Sequence, residues 1–211
     1  MRAGSNGNTA FASNYDVYNK FVMSGSIACS GNINYLLNQN GEEPQGGLAQ
    51  WTFSYLFNGC TSLTSAPELP ATTTNAHSYQ FMFSGCTSLT TPPSSLPALN
   101  IPEGAYGDMF SGCTSLTSAP TILAGWVQTY ACHSMFRGCS SLTIAPSMSS
   151  LVYVAEQGLY RMFHSCTALA TPPTLPATTI LRECYYQMFW ECSSLTSAPE
   201  LPATTLANNC Y

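Results

Sequence analysis

The sequence predicts an α/β repeat solenoid with one short parallel strand and one short helix per coil, and three observations predict it. A phenylalanine recurs as Phe57, Phe83, Phe110, Phe136, Phe163 and Phe189, in steps of 26, 27, 26, 27 and 26 residues. A cysteine follows three positions later each time, as Cys60, Cys86, Cys113, Cys139, Cys166 and Cys192. The residue before the Phe is always long and unbranched (Leu56, Met82, Met109, Met135, Met162, Met188), and the third residue after the Cys is always leucine, from Leu63 to Leu195. Columns that never turn polar are core columns, because an exposed position is free to drift. The position after the Phe does drift, through Asn58, Ser84, Ser111, Arg137, His164 and Trp190, and is expected to face solvent.

Self-similarity at this period marks stacked coils that share one continuous core, of the leucine-rich-repeat-like kind. Residues 1–19, rich in Gly, Asn, Ser and Ala, read as a flexible lead-in. Residues 20–47 lack the pattern and read as an N-terminal cap over the first open coil face, ending in the turn-rich stretch from Asn40 to Gly47. The solenoid proper is expected over residues 48–211. Its last residues resemble the start of another coil, so the array is expected to continue or be capped beyond Tyr211 in a longer parent protein.

Within a coil, Tyr79, Met82, Phe83 and Cys86 stand at i, i+3, i+4 and i+7, one face of two helical turns, and Gly85 stands where a short helix would end. The segment after it, Leu63 to Pro67 and again Leu195 to Pro199, is the expected strand. It must be short, because proline cannot donate to a parallel ladder. Leu69-Pro70-Ala71-Thr72-Thr73, with Pro97, Pro176 and Pro202 in equivalent places, then reads as the return loop.

Composition excludes several functions. Only 7% of the residues are charged and the net charge is -5, so counterion-releasing contact with nucleic acid is not expected. No run of 18 apolar residues is present to span a membrane within this segment. Met1 to Asn6 lacks the apolar stretch of a secretion signal, so a secreted protein would be represented here by its mature part. Six of the ten cysteines share one column. Equivalent residues on parallel rungs lie about 4.8 Å apart with side chains pointing the same way, so a ladder of free buried thiols is expected rather than a disulfide framework.

Phe-x-Gly-Cys-Thr-Ser-Leu-Thr followed by Ala-Pro-x-Leu-Pro-Ala-Thr-Thr resembles the BspA-like leucine-rich-repeat surface proteins of oral and gut bacteria, over about residues 48–211. The resemblance implies an extracellular or cell-surface location and a role in adhesion or host interaction, and it carries no catalytic residue. The chain departs from the usual leucine-rich strand by placing Ala and Pro where larger aliphatics commonly sit.

The chemistry-bearing residues are scattered. His77, His133 and His164 lie in three different columns without metal-motif spacing, and read as surface decoration. Cys132 stands in the column otherwise held by Tyr79, Tyr106 and Tyr185 and reads as core. Glu68 and Glu200 are equivalent residues five rungs apart, about 24 Å by strand spacing, too far for paired acid–base work. With no phosphate loop, zinc pattern or nucleophile elbow, neither enzyme nor cofactor is expected. The repeat breaks at Ile122 to Val127 and Met148 to Tyr153, which introduce Trp126, Tyr130 and Tyr153 as candidate anchors for a host protein or a glycan. Two readings stay open for these aromatics, surface anchors or core filling where the Pro-rich loop is missing. Two also stay open for the chain, a binding module or a stalk that displays another domain.

Overall fold

The computed structural model describes residues 19–211. All but Asn19 of the expected lead-in therefore lies outside the described residues. The rest winds into parallel coils in which residues one period apart sit side by side.

The stretch expected to be helical is a run of β-turns. Ser78, Met82 and Cys86 donate their amides three residues back, to the carbonyls of Asn75, Tyr79 and Phe83 at 3.2, 3.1 and 3.0 Å. The third residue of each turn, His77, Phe81 or Gly85, has a positive φ of 58, 56 or 74°, as a type II turn requires. The amides between them cross to the next coil: Tyr79, Phe81 and Phe83 donate to the carbonyls of Ala105, Gly107 and Met109 at 2.9, 3.0 and 2.9 Å. An α-helix would turn each of these amides back onto its own carbonyl four residues away and leave nothing to join the coils. The buried face is as expected, since Tyr79, Met82, Phe83 and Cys86 are all buried. Turns produce the same spacing. Among the described residues the helical element is a 3-10 turn at Ile33–Leu36.

The strand also moves. The expected segment forms a strand in the first coil, where β2 (Leu63–Ser65) pairs in parallel with β1 (Ile27–Ala28). Later it narrows to the single bridges Ser65↔Thr91 and Ser118↔Ile144, because prolines such as Pro92, Pro93, Pro120 and Pro146 interrupt the donors. The larger sheet lies where a return loop was expected. There β4 (Asn100–Ile101), β6 (Trp126–Val127), β7 (Tyr153–Val154) and β8 (Thr179–Ile180) pair in that order, and β3 (Ser95–Leu96) pairs with β5 (Thr121–Ile122). Branched Ile101, Val127, Val154 and Ile180 face inward and are buried, a pattern that suits a half-buried pleated surface.

The core runs the length of the array. Phe57, Phe83, Phe110, Phe136, Phe163 and Phe189 form one ring stack with successive centroids 5.4, 5.4, 5.4, 5.7 and 5.7 Å apart and rings within 12° of parallel. Each such pair contributes about 0.5–1.5 kcal/mol beyond the area it buries. The thiols do more than fill space. Cys86, Cys113, Cys139 and Cys166 each donate from Sγ to the carbonyl of the preceding coil's Phe at 3.1 Å, and Cys192 does so at 3.0 Å. All ten cysteines are free.

At the other end, Phe21 prolongs the stack. Its ring lies 5.1 Å from that of Phe57, its amide donates to the Leu56 carbonyl at 2.8 Å, and its carbonyl accepts the Cys60 thiol at 3.2 Å. The Glu43 carboxylate accepts from the amides of Thr72 and Thr73 at 2.9 and 2.7 Å, in the place where another coil would offer carbonyls.

Candidate functional site

The four-stranded sheet turns one register column outward: Asn100, Trp126, Tyr153 and Thr179. Strand alternation sends the next residue of each strand into the core, so these four have nowhere to point but out. Trp126 is 52% exposed and does not fill the core, a space taken by Val127 and Val154. Tyr153 is half-buried, with its ring centroid 5.1 Å from that of Trp126 and the two planes tilted by 33°. In the first and last coils the same column holds Thr73 and Thr205.

The backbone around this pair is closely tied. The amides of Gly125 and Trp126 both donate to the Leu99 carbonyl, at 3.0 and 3.3 Å, and those of Val152 and Tyr153 to the Gly125 carbonyl, at 2.9 and 3.1 Å. Leu99 and Val152 are exposed on either side of Gly125, and Leu123 is exposed nearby. Gln128 Nε2 donates to Asn100 Oδ1 at 3.0 Å and closes one edge of the patch with amide groups. The result is an apolar, uncharged platform held on rigid rungs.

Tyr130 lies around the corner, on the turn side of the coil, at a φ of 55°. Its amide donates to the Glu156 carbonyl at 3.3 Å, and its ring packs edge-on to His133 with centroids 5.7 Å apart and planes at 84°. The structure thus brings Trp126 and Tyr153 together and sets Tyr130 beside a histidine.

That histidine is the feature sequence reading passed over as decoration. His133 Nε2 lies 3.0 Å from Asp108 Oδ2, and Nδ1 lies 2.6 Å from the Tyr130 carbonyl. Burial alone would lower its pKa, but the hydrogen bonds to Asp108 and to Tyr130, with the charge of Asp108, outweigh it and raise the value. The signal was arithmetic: 133 minus 108 is 25, one short of the 26-residue step, which sets the two side chains in adjacent columns of neighbouring coils. His77 differs. It stacks on Trp51 with centroids 4.1 Å apart and meets Gln80 Oε1 through Nδ1 at 2.9 Å, and burial lowers its pKa. His164 Nδ1 meets the Ser165 hydroxyl at 2.7 Å, and that hydroxyl donates to Glu191 Oε2 at 2.7 Å.

The remaining candidates carry structure. Cys132 is fully buried, and burial pushes its thiol up, the reverse of what an attacking thiolate needs. Glu68 accepts from the amide and hydroxyl of Ser94 at 3.1 and 2.7 Å, an exposed link between coils. Arg182 lies 2.9 Å from Glu183 and 3.7 Å from Glu156, and such exposed pairs contribute little. Among the described residues no group of three or more His, Cys, Asp or Glu is placed to hold a metal ion, and no helix is long and apolar enough to cross a membrane.

No family model matches the chain, and no curated protein does. Among solved structures it is similar to a leucine-rich repeat protein from Bacteroides ovatus ATCC 8483, at 21% identity and a TM-score of 0.37. The match covers 69% of this chain, which spans 40% of that protein.

Proposed function

We propose that the chain is a non-enzymatic binding module of the BspA-like leucine-rich-repeat kind, displayed outside the cell, which holds a host protein or a glycan on the outer face of its four-stranded sheet. The observation that supports this most is the Trp126–Tyr153 pair. Two large aromatic side chains stand side by side in a column that is otherwise Thr or Asn, and Trp126 is 52% exposed. Aromatic anchors on a fixed backbone offer contact area at low entropic cost. The test is binding of the purified chain to an array of extracellular-matrix proteins and glycans, with Trp126→Ala/Tyr153→Ala beside it. A specific signal lost in the double variant, with unfolding unchanged, supports the module; an equal signal from both proteins removes the site.

A second reading has its own support. The ring stack keeps its step within 5.4–5.7 Å over five intervals, the regularity a rigid spacer would need. Under this stalk reading, removing one whole coil shortens the molecule and leaves its activity intact.

A further inference from the structure

Both ring nitrogens of His133 face groups that only accept hydrogen bonds. The Tyr130 carbonyl lies 2.6 Å from Nδ1 and the Asp108 carboxylate 3.0 Å from Nε2. A neutral imidazole carries one N–H and would turn its other lone pair toward an acceptor; the imidazolium donates to both. The site has been shaped around the ring, since a Cβ at Gly107 on the neighbouring coil would collide with it. With their side chains 21% and 15% exposed, His133 and Asp108 are only partly screened by water.

The groups around His133 are few. Asp108 and Gly107 come from the preceding coil and Tyr130 from its own. His77, two coils back, interacts with it by charge and lies over Gly104. The next coil places Tyr160 and Arg161 at the equivalent positions, with the guanidinium 4.9 Å over the Tyr160 ring. Asp108 is thus the carboxylate in contact. Tyr130, in turn, is held by this histidine twice, through its carbonyl and at the edge of its ring.

We propose that His133 is a proton-operated clamp: doubly protonated, it ties its coil to Asp108 of the preceding one and fixes Tyr130 on the turn side of the coil that carries Trp126, and on deprotonation it can hold only one of the two. The clamp stands on the ring geometry alone, and its importance for ligand capture rests on the binding-module reading. Proton loss leaves one N–H for two acceptors, so either the Tyr130 carbonyl or the Asp108 carboxylate loses its donor. While the imidazolium persists Tyr130 stays fixed, and its loss at higher pH loosens Tyr130 and leaves the sheet face itself in place.

Histidine nitrogen shifts of the full chain, followed by NMR across neutral and alkaline pH without any ligand, test this separately from binding. Both His133 nitrogens should be protonated at neutral pH, and the ring signals of Tyr130 should move with the same midpoint as His133. Asp108→Asn should bring that midpoint down, while His77 and His164 stay where they were. A neutral His133 tautomer at neutral pH, Tyr130 signals that ignore its titration, or an Asp108→Asn variant with an unmoved midpoint would each overturn the clamp. Should Asp108→Asn disturb the fold, His133→Gln serves in its place, and must abolish the pH-dependent movement of Tyr130.

Discussion

The turn side and the strand side of this solenoid solve the same problem differently. On the turn side alternate amides of every coil cross to the next, from Phe53 to Tyr185, and the ring stack and thiol ladder lie directly beneath. On the strand side pairing is broken into sheets of two, two and four strands, with prolines in the gaps. The side that is uniform in sequence is uniform in bonding. The side that varies is where Trp126 and Tyr153 could appear without disturbing the stack. Stability and recognition are thereby separated, and experiments can break or sharpen that separation.

The largest effect belongs to the stack. Phe110→Ala, in its middle, should cost about 3–5 kcal/mol in urea unfolding, as buried Phe truncations do. Val127→Ala beneath the sheet should cost clearly less; equal losses would erase the distinction. Gly85→Ala comes next. The space for a methyl is adequate, its nearest neighbour being the Gly59 Cα at 3.6 Å, so the cost is that of a positive φ, about 1–2 kcal/mol. Cys113→Ala removes a donor from the Phe83 carbonyl, which keeps the Cys86 amide at 3.0 Å, and should cost about 1 kcal/mol. Burial pushes the Cys86 and Cys139 thiols up to about 12. The column should therefore resist alkylation in the native state and react in full, without prior reduction, once denatured. Missing thiols in that count would mean disulfides.

The smallest effect is that of pH. The folded-state pKa of His133 is raised above the ordinary 6.5, so its contribution to stability is present in full below that value and is lost as pH rises through the raised one. His77 runs the other way: its folded-state value is lowered, so its protonation as pH falls works against the fold. Denaturant midpoints of the wild type and His133→Gln should differ more at pH 6 than at pH 9. A constant difference would leave the imidazolium no role in stability.

Much of this was legible in the sequence, because a motif that occurs six times at steps of 26 or 27 residues fixes which residues become neighbours. The Phe and Cys columns, the half-buried or exposed column from Asn58 to Trp190, and the buried place of Cys132 all follow from counting. The helix did not follow. Tyr79, Met82, Phe83 and Cys86 have helical spacing, but hydrophobic periodicity reports which side chains are buried and says nothing of where the amides go. A sign was present in Gly104, Gly107 and Gly112, three glycines within one such stretch, which is poor helix sequence. The strand at Trp126–Val127 was missed because Pro70 and Pro97, in the equivalent loops, suggested a turn. Those prolines precede the sheet column and leave Asn100–Ile101 free to pair. At the candidate site, the repeat breaks pointed to Trp126, Tyr130 and Tyr153 together, while the pairing of Trp126 with Tyr153, one 27-residue step apart, and the hydrogen bonds of His133 came from the structure.

The crossing amides of the turn side share a direction. From Phe53 to Tyr185 the earlier coil supplies the N–H and the later coil the carbonyl. Each peptide unit carries a dipole of about 3.5 D, and dipoles set head to tail along the long axis add. This flank therefore behaves as an electret, positive toward the later coils, and the opposite of an α-helix in polarity. Glu183 and Glu191 lie at the favoured end and Lys20 at the other. In a chain with few charged residues the turn flank thus carries a lengthwise field from its main chain, and strand-side amides such as those of Trp126, Val152 and Thr179, which point back to the earlier coil, oppose it on the other flank.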